Sequence, residues 1–138
     1  MDLEKYRDRF NRENEFLKLI GAEVTVLREG YAEVEMETAP KLANVNKTVH
    51  GGVIFSLADT AVGIASKSYG FGSVTLEGKI NYLRPIGPES GRIRAVAQSV
   101  HAGNKTGVYA CGVYDGAGNL AAVGQFTMFL FSDKPISV

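Results

Sequence analysis

The chain has 138 residues, which is enough for one compact domain with a single core. Hydrophobic residues make up 45% of it and charged residues 22%, and its 15 acidic side chains balance its 15 basic ones. This balance argues against a general nucleic-acid-binding protein and favours self-association.

The first half of the chain mixes helical and extended patterns. Apolar residues spaced three, four and seven apart predict a helix over residues 2–20 that packs one stripe on the domain. Alternating apolar and polar residues predict strands over 22–28 and 31–37, and turn-forming residues predict a loop over 38–48. A second helix, over 49–67, is apolar around most of its circumference, which predicts that it is buried.

The second half of the chain changes to a period of two. Strands are predicted over 74–82, 91–101, 105–115 and 119–131, and the connections between the last three are short turns. Turns of this length require antiparallel neighbours. The sequence therefore predicts an α+β fold over residues 1–138, a single domain in which one antiparallel sheet wraps around the central helix.

Two further absences narrow the class of protein. The first residues are charged throughout and no apolar run could span a membrane, so we expect a cytoplasmic protein that binds no membrane. Cys111 is the single cysteine, which excludes an intrachain disulfide, and we expect it to be a small apolar strand residue. One cysteine and two histidines, far apart in sequence, give no metal-binding spacing.

Asp59 is the most informative residue, because it is an acid in the middle of the apolar helix. An ionised carboxylate in an apolar setting is costly unless it is paired, hydrated or protonated. It belongs to a stripe of small and polar residues that leaves room for a ligand or a close partner chain: Gly52, Ser56, Asp59, Gly63 and Ser66. The alternative is structural, with Asp59 bonded to a nearby backbone group.

His50, Gly51 and Gly52 stand at the start of this helix. The first turn of a helix presents unpaired backbone N–H groups, and glycines let another molecule approach them closely. An oxyanion or a polarised thioester carbonyl needs such donors. Taken alone, so short a motif is better explained as a glycine-rich turn that opens a helix and is capped by His50.

The whole run NVNKTVHGGVIFSLADTAVGIAS, residues 44–66, resembles the signature of PaaI-type hotdog thioesterases of the phenylacetate-degradation group. Weaker similarity extends over residues 20–132. The chain departs from the family pattern at Lys47, where small residues, often glycine, are common, and this leaves the shape of the loop open. The residues that carry the match are Asn44, His50, Gly51, Gly52, Phe55, Leu57, Ala58, Asp59 and Ala61.

The resemblance implies an acyl-coenzyme A thioesterase and gives five residues catalytic roles. Asp59 is expected to act as general base on water or as nucleophile on the thioester carbon. Gly51 would polarise the thioester carbonyl through its N–H, His50 would hold the helix start, and Asn44 would orient water or substrate. Thr75 stands where relatives often carry a Ser or Thr that positions water, although an ordinary strand threonine is as good an explanation.

The same resemblance implies a binding site for coenzyme A and no separate cofactor or metal. Arg84 and Lys105 are the candidate cations for its phosphates, although both could be solvated turn residues. Further contacts are expected from Gly52, Asn104, Thr106 and Gly107.

The spacing of Gly51 and Asp59 bears on the oligomeric state. Eight residues along one helix separate them by roughly 12 Å, so one thioester group cannot touch both. Either the motif is not one site, or each site takes Gly51 from one chain and Asp59 from another. The family has the second arrangement, with antiparallel helices across a two-fold axis, so we expect a homodimer that assembles to a homotetramer.

Three alternatives use the same sequence features. A hotdog dehydratase or hydratase would share the fold, although the spacing from His50 to Asp59 argues against it. A non-catalytic acyl-CoA-binding protein would have no need of Asp59. In a purely structural homo-oligomer the stripe of small residues would serve packing alone.

Overall fold

Six strands form one antiparallel sheet in the computed structural model, which describes residues 1–138. In chain order they are β1 (Ala22–Arg28), β2 (Tyr31–Glu37), β3 (Phe71–Tyr82), β4 (Arg92–Ala102), β5 (Thr106–Tyr114) and β6 (Leu120–Pro135). Across the sheet their order is β1-β2-β4-β5-β6-β3. The helices are α1 (Leu3–Glu13), α2 (Glu15–Ile20) and α3 (Gly51–Lys67), with a 3-10 turn at Pro40–Leu42. None of the helices is long and apolar enough to cross a membrane.

The central helix α3 crosses one face of the sheet, because it leads from β2 near one edge to β3 at the other. The strands contribute alternate residues to the core beneath it, among them Val34, Ala95, Tyr109, Val113 and Phe126. The predicted architecture, an antiparallel sheet around a central helix, is confirmed. The residues that α3 buries against the sheet are Ile54, Leu57, Ala58, Ala61, Val62, Ile64 and Ala65.

The N-terminal segment forms two helices, so the prediction of one continuous helix over residues 2–20 is wrong. Asn14 has an extended backbone (φ −85°, ψ 98°), and its side chain accepts a hydrogen bond from the backbone N of Leu17 at 3.1 Å. Asparagine favours such positions because its side chain satisfies a free N–H at a helix start. Gly21 ends α2 in the left-handed conformation (φ 71°), which glycine adopts without strain.

Strands β3 and β6 are longer than their alternation indicated. Their pairing continues to Phe71 and Pro135, beyond the predicted ranges 74–82 and 119–131. Backbone hydrogen bonds do not require an apolar pattern. The added residues of β6 are exposed, and Gly72 and Ser73 of β3 are not apolar, so neither end has a period-two signal in the sequence.

Cys111 lies on β5 and is buried. Burial raises the pKa of its thiol to about 12, so the thiol stays protonated at neutral pH. A protonated, enclosed thiol is a poor nucleophile. This confirms Cys111 as a small apolar strand residue.

The two edges of the sheet differ, because one is covered and the other is open. At β1, the side-chain amide of Asn11 accepts from the backbone N of Val24 (2.8 Å) and donates to its carbonyl O (2.9 Å), as a neighbouring strand would. At the other edge, β3 runs for 12 residues with no strand beyond it, and Val74 and Leu76 are 48% and 58% exposed. The open edge of β3 therefore offers backbone groups and apolar side chains to a second molecule.

The side of α3 that faces away from the sheet lies next to this open edge. Asp59 is on that side and is half-buried in the single chain. The expectation of a buried helix therefore holds for its sheet-facing residues, but the Asp59 carboxylate is not enclosed in the core. The sheet covers only part of the helix circumference, and the rest is open to solvent or to a partner.

Leu57 tests the role of α3 as the centre of the core. It is 0% exposed, whereas Leu19 on α2 is 69% exposed. We expect Leu57→Ala to lower the free energy of unfolding by about 2–5 kcal/mol, through lost burial and a residual cavity. The matched change Leu19→Ala should cost at most about 0.5 kcal/mol. Urea denaturation followed by circular dichroism measures both, and equal effects would contradict this description of the core.

Candidate active site

The start of α3 leaves one backbone N–H free. His50 is the N-cap residue, and its Nδ1 accepts a hydrogen bond from the backbone N of Gly52 at 2.8 Å. The N–H groups of Val53 and Ile54 both point to the carbonyl O of His50. The Gly51 N–H has no acceptor within the chain. Of the two glycines singled out in the sequence, only Gly51 therefore has an N–H available for a ligand.

Asn44 organises the loop before this helix. Its Oδ1 accepts from the backbone N of Asn46 (2.9 Å) and of Thr48 (3.1 Å), and its Nδ2 donates to Thr48 Oγ1 (2.9 Å). Lys47 lies in the same turn with φ 60°, the left-handed region that favours glycine. The backbone here is thus one that glycine adopts readily, and Lys47 adopts it as a non-glycine residue.

A cavity of about 340 Å³ opens beside the helix start. Asn44, Gly51, Tyr82 and Arg84 are among its lining residues. The Tyr82 hydroxyl donates to the carbonyl O of Gly51 at 2.7 Å, and burial raises the pKa of this phenol. Tyr82 fixes the peptide that follows the free N–H, and Arg84 places a cation at the rim of the cavity.

Asp59 is held by one hydrogen bond from β3. Thr75 Oγ1 donates to Asp59 Oδ1 at 2.7 Å. The other carboxylate oxygen, Oδ2, has no hydrogen-bond donor in the chain and lies on the open side of α3. The carboxylate is therefore oriented by one oxygen and available through the other, which is the geometry needed to accept a proton from water or to attack a carbon.

Within one chain, Gly51 and Asp59 do not meet. They lie on one uninterrupted helix, Gly51–Lys67, so the separation of roughly 12 Å along its axis is retained.

The candidate residues for binding coenzyme A are also far apart within one chain. Arg84 lies at the start of α3, whereas Asn104 lines a second cavity of about 470 Å³ together with Tyr69, beyond the helix end.

The turn over residues 103–107 carries the other coenzyme A candidates, and its backbone groups are used in hydrogen bonds that hold the turn. The carbonyl O of Lys105 accepts from the backbone N of Leu130, and the carbonyl O of Thr106 accepts from the backbone N of Gly103. A Cβ at Gly107 would lie 3.0 Å from the Tyr109 ring, so packing favours glycine there. The side chains of Asn104, Lys105 and Thr106 are exposed and remain free for a ligand.

Two residues near the site were missed in the sequence. Tyr82 ends the strand predicted over 74–82, and the alternation of that strand directs it, like Ile80, toward one face of β3. Lys67 follows Gly63 by four residues, and this spacing could have indicated a cation on the same helix face. No group of three His, Cys, Asp or Glu side chains lies together as metal ligands.

An antiparallel sheet over a central helix, with a free N–H at the helix start and an oriented carboxylate two turns later, is the layout of a hotdog-fold thioesterase. The sequence profile of the Thioesterase superfamily matches residues 46–122. The chain is 34% identical over 127 residues to an Archaeoglobus fulgidus protein provisionally described as an esterase, covering 92% of this chain and 82% of that protein. The chain belongs to the thioesterase superfamily, whose members are hydrolases.

The similarity extends to characterised and ligand-bound relatives. The Escherichia coli acyl-coenzyme A thioesterase PaaI is 39% identical over 92 residues, which cover 67% of this chain and 65% of that protein. The structure of E. coli PaaI superposes with a TM-score of 0.90, covering 98% of this chain and 96% of that one at 28% identity. A Streptococcus mutans protein solved with acetyl-CoA bound superposes with a TM-score of 0.76 at 32% identity, covering 84% of this chain and 91% of that one.

The His50 cap can be tested apart from any activity. His50→Ala removes the acceptor for the Gly52 N–H, and we expect it to lower the free energy of unfolding by about 1 kcal/mol. His50→Asn supplies another side-chain acceptor and should restore most of that loss. Urea denaturation of the three proteins measures the difference. An alanine variant as stable as the wild type would show that the cap does not stabilise the helix start.

Proposed function

We propose that the protein hydrolyses acyl-CoA thioesters to a free acid and coenzyme A, with the Asp59 carboxylate as general base or nucleophile. The observation that carries this proposal is the Asp59 carboxylate, oriented by Thr75 through one oxygen and open through the other. Membership of the thioesterase superfamily supports hydrolysis, and similarity to E. coli PaaI and to the acetyl-CoA-bound protein supports coenzyme A esters as the substrate class.

Two routes fit this geometry. As a general base, Asp59 takes a proton from water while the water oxygen adds to the thioester carbon. As a nucleophile, Asp59 adds to that carbon itself and forms an anhydride that water then hydrolyses. In both, the carbon–sulfur bond breaks and coenzyme A leaves as a thiolate that takes up a proton. Thr75 orients the carboxylate in either route.

The Gly51 N–H would supply the other half of the chemistry. As the thioester carbon is attacked, negative charge develops on its oxygen, and a preorganised N–H at a helix start stabilises that charge. The free Gly51 N–H, held between the His50 cap and the Tyr82 hydroxyl bond, is suited to this role. Asn44 supports it by fixing the loop before the helix and by lining the same cavity.

A complete site would take these two halves from two chains. The open face of α3 and the free edge of β3 lie on the same side of the molecule, whereas the β1 edge is closed by Asn11. Two copies related by a two-fold axis at this face would set their α3 helices antiparallel, with the start of one beside the middle of the other. Each dimer would then hold two equivalent sites. Assembly of dimers into a homotetramer stays a prediction, as does a cytoplasmic location.

The same arrangement brings the coenzyme A candidates together. Arg84 at the start of one α3 would approach the turn with Asn104, Lys105 and Thr106, which lies beyond the end of the other α3. Arginine and lysine side chains bind phosphate groups through charge-assisted hydrogen bonds. Coenzyme A would enter as part of the substrate, and the proposed reaction requires no other cofactor.

The central test is the substitution Asp59→Asn. Asparagine keeps the size of the side chain and can still accept the Thr75 hydrogen bond, but it is a poor base and a poor nucleophile. We expect kcat to fall on the order of a hundredfold or more, with coenzyme A binding nearly unchanged. Release of the free thiol, followed with a chromogenic reagent on a panel of aryl and short- to long-chain acyl-CoA esters, measures the rate.

Asp8→Asn, on the exposed face of α1, is the matched control and should leave kcat unchanged. The panel also separates hydrolysis from the dehydratase and binding alternatives, because only hydrolysis releases the thiol. A kcat of Asp59→Asn within a few-fold of the wild type would refute the assignment of Asp59.

A further inference from the structure

Lys67 is the last residue of α3 and lies on the same side of the helix as Asp59. It follows Asp59 by eight residues on α3, and its side chain folds back along the helix, with Nζ 3.4 Å from the carbonyl O of Gly63. The same Nζ is 3.4 Å from Ser73 Oγ on β3. The ammonium therefore lies in the cleft between α3 and β3, on the same side as the carboxylate.

Little side-chain bulk separates the two charged groups along the helix. Gly63 is the helix residue between them, and a Cβ built there would lie 3.9 Å from Lys67 Nζ. Ser73 and Thr75 stand two residues apart on β3 and so face the same way, one contacting Lys67 and the other Asp59. These three positions therefore put no large side chain between the ammonium and the carboxylate.

The polar contacts of the Lys67 ammonium are weak. Both distances are at the long end of the hydrogen-bond range, and Ser73 is already bonded to Ser66. Burial lowers the pKa of Lys67, and the nearby Asp59 carboxylate only partly opposes this effect. Half-buried lysines normally have a strong acceptor, and Lys67 has donors left for one.

The distance between the groups sets the size of what would fit. The Cα atoms of Asp59 and Lys67 are roughly 12 Å apart along the helix axis, and the lysine returns by about one turn, ~5 Å, which leaves about 7 Å. A chain of five or six carbons or one aromatic ring bridges such a gap. With its thioester carbon at Asp59, an acyl group running toward the helix end would present its far end to the ammonium.

We propose that Lys67 is a specificity-determining residue that binds an oxygen acceptor, a carboxylate or a hydroxyl, at the far end of the acyl group. This inference rests on the proposed thioesterase function and names its preferred substrate class. Hydrolysis itself requires only Asp59 and the helix start, so Lys67 would act on substrate choice. Its loss should change the ratio between substrates and leave the rate on plain acyl chains nearly intact.

The test compares kcat/KM within pairs of esters that differ only at the far end. The pairs are glutaryl-CoA with pentanoyl-CoA, adipoyl-CoA with hexanoyl-CoA, and 4-hydroxyphenylacetyl-CoA with phenylacetyl-CoA. In the wild type we expect at least one pair to favour the oxygen-bearing ester. Lys67→Met should lower that preference about tenfold, the effect of losing one charge-assisted hydrogen bond at a half-exposed site. Lys67→Arg should retain it, and the surface control Lys5→Met should change nothing.

Lys67→Gln distinguishes the two acceptors, because it keeps a donor but loses the charge. It should abolish a preference for the carboxylate and retain much of a preference for the hydroxyl. Thermal unfolding shows whether Lys67→Met is folded. If it folds poorly, Lys67→Gln replaces it in the comparison of carboxylate-bearing and plain esters.

Equal ratios in wild type and Lys67→Met, with both esters of every pair hydrolysed, would overturn the inference and leave the thioesterase proposal standing. A wild-type protein that hydrolyses no acyl-CoA ester would refute the proposed function itself, and this inference with it.

Discussion

An α-helix fixes the distance between its residues, and here that rigidity keeps the two halves of the candidate chemistry apart. The free N–H of Gly51 and the carboxylate of Asp59 both belong to α3 and cannot approach each other within a chain. Hydrogen bonds nevertheless hold each of the two groups in a fixed orientation. The cap from His50 and the hydroxyl of Tyr82 hold the first, and Thr75 orients the second. In the proposed dimer, the prepared N–H of one chain and the prepared carboxylate of the other would act on one substrate.

The sheet supplies the face on which this can happen. Because α3 connects β2 to β3 at the far edge, the functional side of the helix and the open strand edge lie side by side. The Asn11 amide occupies backbone groups at the β1 edge, so the β3 edge is the one that remains open to a second chain. The succession of Asp59, Gly63 and Lys67 follows from the same placement, since all three lie on the side of α3 that faces away from the sheet.

Local patterns predicted the elements and much of the site. The apolar circumference of α3 and the acid within it were visible in the sequence, and so were the glycines at its start. Features that depend on contacts between distant residues could not be predicted from the sequence. The bond from Tyr82 to Gly51, the position of Lys67 against Ser73 and the exposure of Asp59 all follow from how β3 lies against α3. The break at Asn14 was missed because the apolar period continues across it, while the cap depends on one side chain.

Complementation between two inactive variants tests the shared site most directly. Gly51→Pro deletes the free N–H at a first helical position, where proline is tolerated, and His50 already has the extended backbone that precedes proline (φ −57°, ψ 133°). Gly51→Ala adds a Cβ 3.3 Å from the Tyr82 ring but keeps the N–H, so its activity separates the effect of this crowding from the loss of the donor. Refolding Gly51→Pro with Asp59→Asn should restore activity, because about half of the dimers are mixed and about one quarter of all sites are intact. Full subunit exchange, shown by mass-tagged chains, with no activity regained would contradict the shared site.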